Sequence, residues 1–318
     1  SAFPMIVGET QQSCYLLAKD FAAFWKGKDP LAIEERLKEL DQIIAGNYTA
    51  KSAFDLALYD IAAQAANQPL YAFLGGQQKP IESDLTIGIG TPEDMAKQAV
   101  AFVAKGVTMI KVKLGKQPAD DIERIKQIRS AIGEKTILRI DANQGWSKEE
   151  ALPVLTALSE YDIQFCEQPM HKYYDDYLPA LCAASPIKIM ADESVFTHHE
   201  ARKLIQQKAC HYINIKFSKS GGIHEAIKIH DIGKANGIAC MMGGMLESRL
   251  ALSAKVHFAM AHDNIHFYDM DTCLLGHKED PVIGGVQFNG MHISISDSPG
   301  IGATVDPNYL SKLESCVV

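Results

Sequence analysis

The sequence predicts a closed (β/α)8 barrel of the TIM type, and three observations carry that prediction. Eight short apolar runs recur at intervals of roughly 25 residues, a helical pattern separates each run from the next, and the rhythm breaks at both chain ends. The runs are Leu85–Ile89, Met109–Leu114, Ile137–Ala142, Gln164–Pro169, Ile187–Asp192, Tyr212–Phe217, Ile238–Met242 and His266–Asp271. Between them Pro92–Lys105, Asp120–Ile132, Lys148–Glu160, His198–Gln206, Gly222–Asn236 and Leu250–Ala261 space their apolar residues as helices do. Such alternation builds a parallel sheet, and eight near-equal units close it. The alternative, an open doubly wound sheet, needs no such regular count.

Ahead of the first run, residues 16–67 read as helices, with apolar positions at helical spacing in Leu31–Ile44 and a more apolar helix at Ala53–Ala63. Beyond the last run, Gly284–Ser296 alternates at period two, like antiparallel strands. The two chain ends are therefore expected to join in an α+β capping domain. Its helical part is expected over residues 1–80, the barrel over 81–275 and the return to the cap over 276–318.

Composition narrows the function. A chain of 318 residues leaves several tens beyond the ~250 that a barrel needs. A net charge of −8, with no basic run, excludes a nucleic-acid partner. Neither a membrane-spanning apolar stretch nor a basic leader followed by an apolar block is found, so no membrane partner is expected. Seven cysteines are scattered and never in C-x-x-C spacing; several sit inside apolar runs and read as buried thiols, as expected of a cytoplasmic protein.

Barrels of this kind gather their chemistry where the strands end. The runs close on Lys111-Val-Lys113, Asp141-Ala-Asn143, Glu167-Gln-Pro169, Asp192-Glu-Ser194, Asn214-Ile-Lys216, Gly243-Gly-Met245 and Asp269-Met-Asp271. Asp141, Glu167 and Asp192 occupy three consecutive strand ends and would repel one another unless neutralised. A hard cation with oxygen ligands resolves this, and Mg²⁺, one per subunit with Mn²⁺ as a substitute, fits best. Lys111 and Lys113 leave one face of their strand, which in a barrel is the interior. Their mutual repulsion is expected to depress their pKa. Lys216 lies across the barrel, so Lys113 and Lys216 can act as bases on opposite faces of one carbon. Lys219, in the loop before Gly221-Gly222, is given no catalytic role. Proton removal beside a carboxylate yields an enediolate, whose charge a bound cation stabilises.

These residues, in order and spacing, resemble the enolase superfamily and within it the muconate-lactonizing subgroup; Ala50–Ala62 resembles the helical part of that family's cap. The resemblance implies a metal held by Asp141, Glu167 and Asp192, and the Asp269-x-Asp271 pair resembles the one dipeptide epimerases use to hold a substrate ammonium. It further implies that Thr86, Lys111 and Gly244 contact substrate, and that Asn143, Glu193 and Glu247 support the metal ligands. The expected reaction is epimerisation of a dipeptide at its C-terminal α-carbon, in a homo-oligomer. The alternatives are a muconate cycloisomerase, an o-succinylbenzoate synthase, an N-acylamino-acid racemase or a catalytically silent metal-binding scaffold. The family's first antiparallel strands, with the loop that reads the substrate side chain, are not in the sequence. Either the chain as given lacks them or the protein does without them.

Overall fold

The computed structural model describes residues 2–275 and 278–318; the chain start at Ser1 and the boundary expected at Gly276 lie outside the described residues. Strand β1 (Ile81–Glu82) leads into the barrel strands β2 (Leu85–Ile87), β3 (Met109–Lys113), β4 (Ile137–Asp141), β5 (Ile163–Glu167), β6 (Ile189–Ala191), β7 (Tyr212–Ile215), β8 (Ala239–Met242) and β9 (Ile265–Tyr268). After them come β10 (Val282–Gly284), β11 (Gln287–Asn289), β12 (His292–Ser294) and β13 (Ala303–Val305). Strands β2 to β9 form one parallel sheet in sequential order. The eight expected runs are these eight strands. Several stop one to three residues early, so that Asp192, Lys216, Asp269 and Asp271 stand just past the strand ends. A seven-residue helix, Leu178–Ala184, fills the gap between β5 and β6; it is too short to show a helical period in sequence.

The seam between β9 and β2 is closed with help from side chains. Asp84 N–H donates to the Tyr268 carbonyl at 3.3 Å, Met270 N–H to Ser83 Oγ at 2.8 Å, and Thr86 N–H to Asp271 Oδ2 at 2.7 Å. Inside the barrel, Phe165, Met190 and Met241 pack with Tyr212 and Phe267 into an apolar plug. Arg139 lies over the rings of Phe165 and Phe267, at 5.3 and 5.4 Å, and pairs with Asp84 at 2.8 Å. The plug closes one end of the barrel, and charged side chains begin above it.

The cap forms as the sequence pattern requires. Helices Gln11–Trp25, Ile33–Ile43 and Tyr48–Ala65 bury Phe21, Leu40 and Ala50 between them. The tail returns as antiparallel strands: β12 pairs with β11 and with β1, and β10 pairs with β13. Two buried acids fix the cap, one within it and one against the barrel. Glu9 accepts from Thr49 N–H and Ala50 N–H at 2.9 and 3.1 Å, capping the long helix. Asp55 accepts from Ile223 N–H and His224 N–H at 2.6 and 3.1 Å, at the start of barrel helix Ile223–Ala235. Gly222 is required there, because a Cβ would meet the Asp55 carboxylate at 2.2 Å. Among the described residues no helix is long and apolar enough to cross a membrane.

Candidate active site

Strand register brings the expected residues together. Lys113 sits opposite Asp141, and Asp141 opposite Glu167, at the ends of β3, β4 and β5. Lys111 Nζ donates to Glu167 Oε2 at 2.7 Å and Asp269 Oδ2 at 2.8 Å, and lies 3.1 Å from Asp141 Oδ2. Lys113 Nζ donates to Asp141 Oδ2 at 2.6 Å and Asn143 Oδ1 at 3.0 Å. Lys216 Nζ donates to Asp192 Oδ2 at 2.7 Å and lies 3.6 Å from Glu167 Oε1. The three acids thus meet through shared ammonium groups: Lys111 links Asp141 to Glu167, and Lys216 links Glu167 to Asp192.

A cavity of about 690 Å³ opens above them. Among the expected residues its walls hold Thr86, Lys113, Asn143, Asp192, Glu193, Lys216, Gly244, Asp269 and Asp271. Lys111, Asp141 and Glu167 are almost completely buried and are not among the residues lining the cavity. Glu247 stands apart from the acids: it pairs with buried Lys255, whose Nζ donates to the Gly243 carbonyl at 2.7 Å. It therefore supports the loop after β8 rather than Asp141, Glu167 or Asp192. Asn143 does reach Glu193, with Nδ2 3.4 Å from Oε1. Of the acid pair after β9, Asp269 is turned to Lys111, whereas Asp271 Oδ1 is buried without a hydrogen-bond partner.

Two further expectations need correction. Lys111 is held charged, its pKa raised well above the ordinary value; burial opposes this, but Asp269, Glu167 and Asp141 outweigh burial and neighbouring lysines alike. Lys219 lies in a helical turn, Phe217–Ser220, and is in contact with Asp192. Phe3, Met5 and Ile6, at the first helical turn, line the cavity with Ile89, Met245, Leu246 and Leu275.

Sequence reasoning missed Asn214 and Gln168. Asn214 Nδ2 donates to Glu167 Oε1 at 2.8 Å, and its place two residues before Lys216 could have marked it as inward-facing. Gln168 Oε1 accepts from Asp192 N–H at 2.9 Å and fixes the end of β6; its left-handed backbone, φ 36°, left no period to read.

Charge tests whether a cation belongs here. Asp84, Asp141, Glu167, Asp192, Glu193, Asp269 and Asp271 gather in this interior against Lys111, Lys113, Lys216, Lys219 and Arg139. Seven acids face five cations, a deficit equal to one divalent ion. Its strain is visible in the protonation equilibria. Burial, then Asp141, pushes Glu167 up to about 7; burial, then Asp192 and Asp141, pushes Glu193 up to about 8; burial, then Asp269, pushes Asp271 up to about 7. Burial works against the Asp141 carboxylate too, yet Lys113 and Lys111 hold it at about 2. Among the described residues no three acidic, histidine or cysteine side chains already stand as a ligand cluster, since ammonium groups hold these oxygens. Even so, Asp192 Oδ1 and Glu193 Oε2 are buried without hydrogen bonds. An all-oxygen donor set short of two positive charges suits a hard divalent ion, with Asp141, Glu167 and Asp192 as the side chains that would hold it.

Barrel and site together define a barrel of acid-and-lysine type with a bipartite cap, and comparison with known proteins agrees. Residues 94–309 match the enolase C-terminal domain-like family, and residues 4–75 match the N-terminal domain of mandelate racemase and muconate lactonizing enzyme. The chain belongs to the enolase superfamily. It is 42% identical over its whole length to the D-Ala-D/L-Ala epimerase of Cytophaga hutchinsonii, of which it covers 87%. It is 40% identical to the L-Ala-D/L-Glu epimerase of Bacillus subtilis over 87% of this chain and 76% of that protein. A dipeptide epimerase from Cytophaga hutchinsonii, solved with Mg and D-Ala-L-Val, superimposes with a TM-score of 0.97 at 42% identity, covering 99% of this chain and 86% of that one.

Proposed function

We propose that this chain is a Mg²⁺-dependent dipeptide epimerase, an isomerase that inverts the α-carbon of the C-terminal residue by proton transfer between Lys113 and Lys216. The observation that carries this reading is that Lys113 and Lys216 line one cavity from β3 and from the end of β7, four strands apart in a ring of eight, with the acid trio between them. The relatives that bind or act on dipeptides support it.

When bound, Mg²⁺ would hold the substrate carboxylate and offset the charge that grows there as the α-proton leaves. With Asp192 given over to a cation, Lys216 loses the carboxylate that keeps it protonated, and its pKa falls from a value raised by Asp192 and Glu167 despite burial. A neutral lysine on one face takes the α-proton. The lysinium on the other face returns one, and the enediolate form of the substrate stands between the two steps. Asp271 Oδ1, buried and unpartnered, accepts the substrate ammonium. The apolar lining of Phe3, Met5, Ile6, Ile89, Met245 and Leu275 favours apolar substrate side chains, with Lys116 and His171 as basic groups outside the machinery among the described lining residues.

The test is a panel of dipeptides incubated in deuterated water with Mg²⁺. A single added deuterium at the C-terminal α-carbon, with inversion, is expected for L-Ala-L-Val; no exchange on any dipeptide defeats the reading. An N-acylamino-acid racemase is the second reading, favoured only if N-acetylated substrates react as fast as free dipeptides.

A further inference from the structure

Lys219 is a buried lysine that the mechanism above does not use. Its Nζ donates to the carbonyls of Asp192, Val195 at 3.1 Å and Asn214 at 3.2 Å. Three carbonyls take all three of its N–H groups. The same ammonium lies 2.5 Å from Asp192 Oδ1. Among the described residues Oδ1 has no partner besides this ammonium.

The position explains the arrangement. The three carbonyls belong to the turn after β6 and to β7, so one side chain bolts together the two strand ends that deliver Asp192, Asn214 and Lys216. Its own backbone continues the bolt, since Lys219 N–H donates to the Lys216 carbonyl at 2.9 Å. The turn is in turn held by the cap, where Thr49 Oγ1 donates to the Ser218 carbonyl at 3.2 Å. Burying an ammonium is costly unless it is fully paired. Here it is, and its nearest carboxylate is one that the proposed function assigns to the metal.

We infer that Lys219 is a positioning residue for the metal ligand Asp192 and, through the β7 end, for the base Lys216. It turns the Asp192 carboxylate toward the site and compensates its charge. The inference rests on the reading of Asp192 as a metal ligand.

Lys219→Met removes charge and donors at similar size, and Lys219→Gln restores donor N–H groups without the charge. Titration of each metal-free, folded variant with Mg²⁺ alone, followed by calorimetry, should show affinity weakened about tenfold to a hundredfold relative to wild type. Lys219→Gln should retain more thermal stability than Lys219→Met, yet bind Mg²⁺ nearly as weakly, because charge rather than hydrogen bonding orients Asp192. If Lys219→Met does not fold, Lys219→Gln alone decides. A folded variant that binds Mg²⁺ as tightly as wild type overturns the inference. Failure of wild type itself to bind Mg²⁺ overturns the proposed function instead.

Discussion

Lys113 and Lys216 line one cavity from opposite sides, so the proposed two-base transfer can be tested by deleting each separately. Lys113→Ala and Lys216→Ala should each lower epimerisation by at least about a hundredfold, the scale of a lost general base. Each variant should still exchange the α-proton of one stereoisomer with solvent deuterium, and the two should choose opposite isomers; identical stereochemical preference in both would contradict two-base transfer. Asp271→Asn tests the ammonium contact. A lost charge-assisted contact is worth about 1.5–3 kcal/mol, so kcat/KM for L-Ala-L-Val should fall tenfold or more while Mg²⁺ affinity holds. A variant with unchanged kinetics would remove Asp271 from substrate binding. At this scale residue identity was readable in sequence, because inward-facing charges in a barrel need partners. What those partners do to protonation was not. Repulsion between Lys111 and Lys113 follows from two-residue spacing, whereas the attraction of Asp269, Glu167 and Asp141 for Lys111 comes from strands far away in sequence. Asp269 and Asp271 look alike in sequence, but only the fold turns one to Lys111 and leaves the other an unpartnered oxygen.

Elements supply these side chains through contacts that leave little tolerance. Gly243, just after β8, packs against Asn214 so closely that a Cβ would stand 2.3 Å from Oδ1. Asn214 in turn donates to Glu167 at 2.8 Å. Gly243→Ala should therefore push Asn214 away from Glu167 and cut kcat/KM by about tenfold or more, the usual cost of disturbing a partner of a metal ligand. Full activity in that variant would mean that the β7–β8 junction can give. The loop is held from behind by Lys255 and Glu247, a fully buried pair on and before helix Arg249–Ala261. Glu247 was visible in sequence as an acid near a strand end, but its direction was not, since the loop turns it toward a lysine eight residues on. Strand ends were legible only approximately for the same reason. An apolar run records burial, and residues such as Ala142 stay buried after the backbone has left the ladder.

Across the whole molecule, two sets of groups couple stability to pH with opposite signs. His257 joins cap, barrel and tail: its Nδ1 accepts from Tyr71 N–H and its Nε2 meets the Ile301 carbonyl, both at 3.1 Å. Burial pushes its pKa down to about 4, so between pH 4 and about 6.5 the unfolded chain binds the extra proton. Stability from this group is therefore present above about pH 6.5 and lost as pH falls toward 4. The site acids behave in reverse. Glu167, Glu193 and Asp271 titrate at about 7, 8 and 7 in the folded protein, against about 4 in an unfolded chain. Between those limits the folded state holds more protons, so its stability declines as pH rises. A divalent cation held at Glu167 and beside Glu193 would replace the protons of these two acids, and its binding must release them. The thermal stabilisation given by saturating Mg²⁺ should accordingly grow from pH 6 to pH 8.5, which differential scanning calorimetry at fixed ionic strength can follow. Substituting Gln for Glu193 should flatten the slope, because one of the displaced protons is then gone. A Mg²⁺ increment that stays level or shrinks over that range in wild type would show that the seven-acid interior does not take its missing charge from the ion.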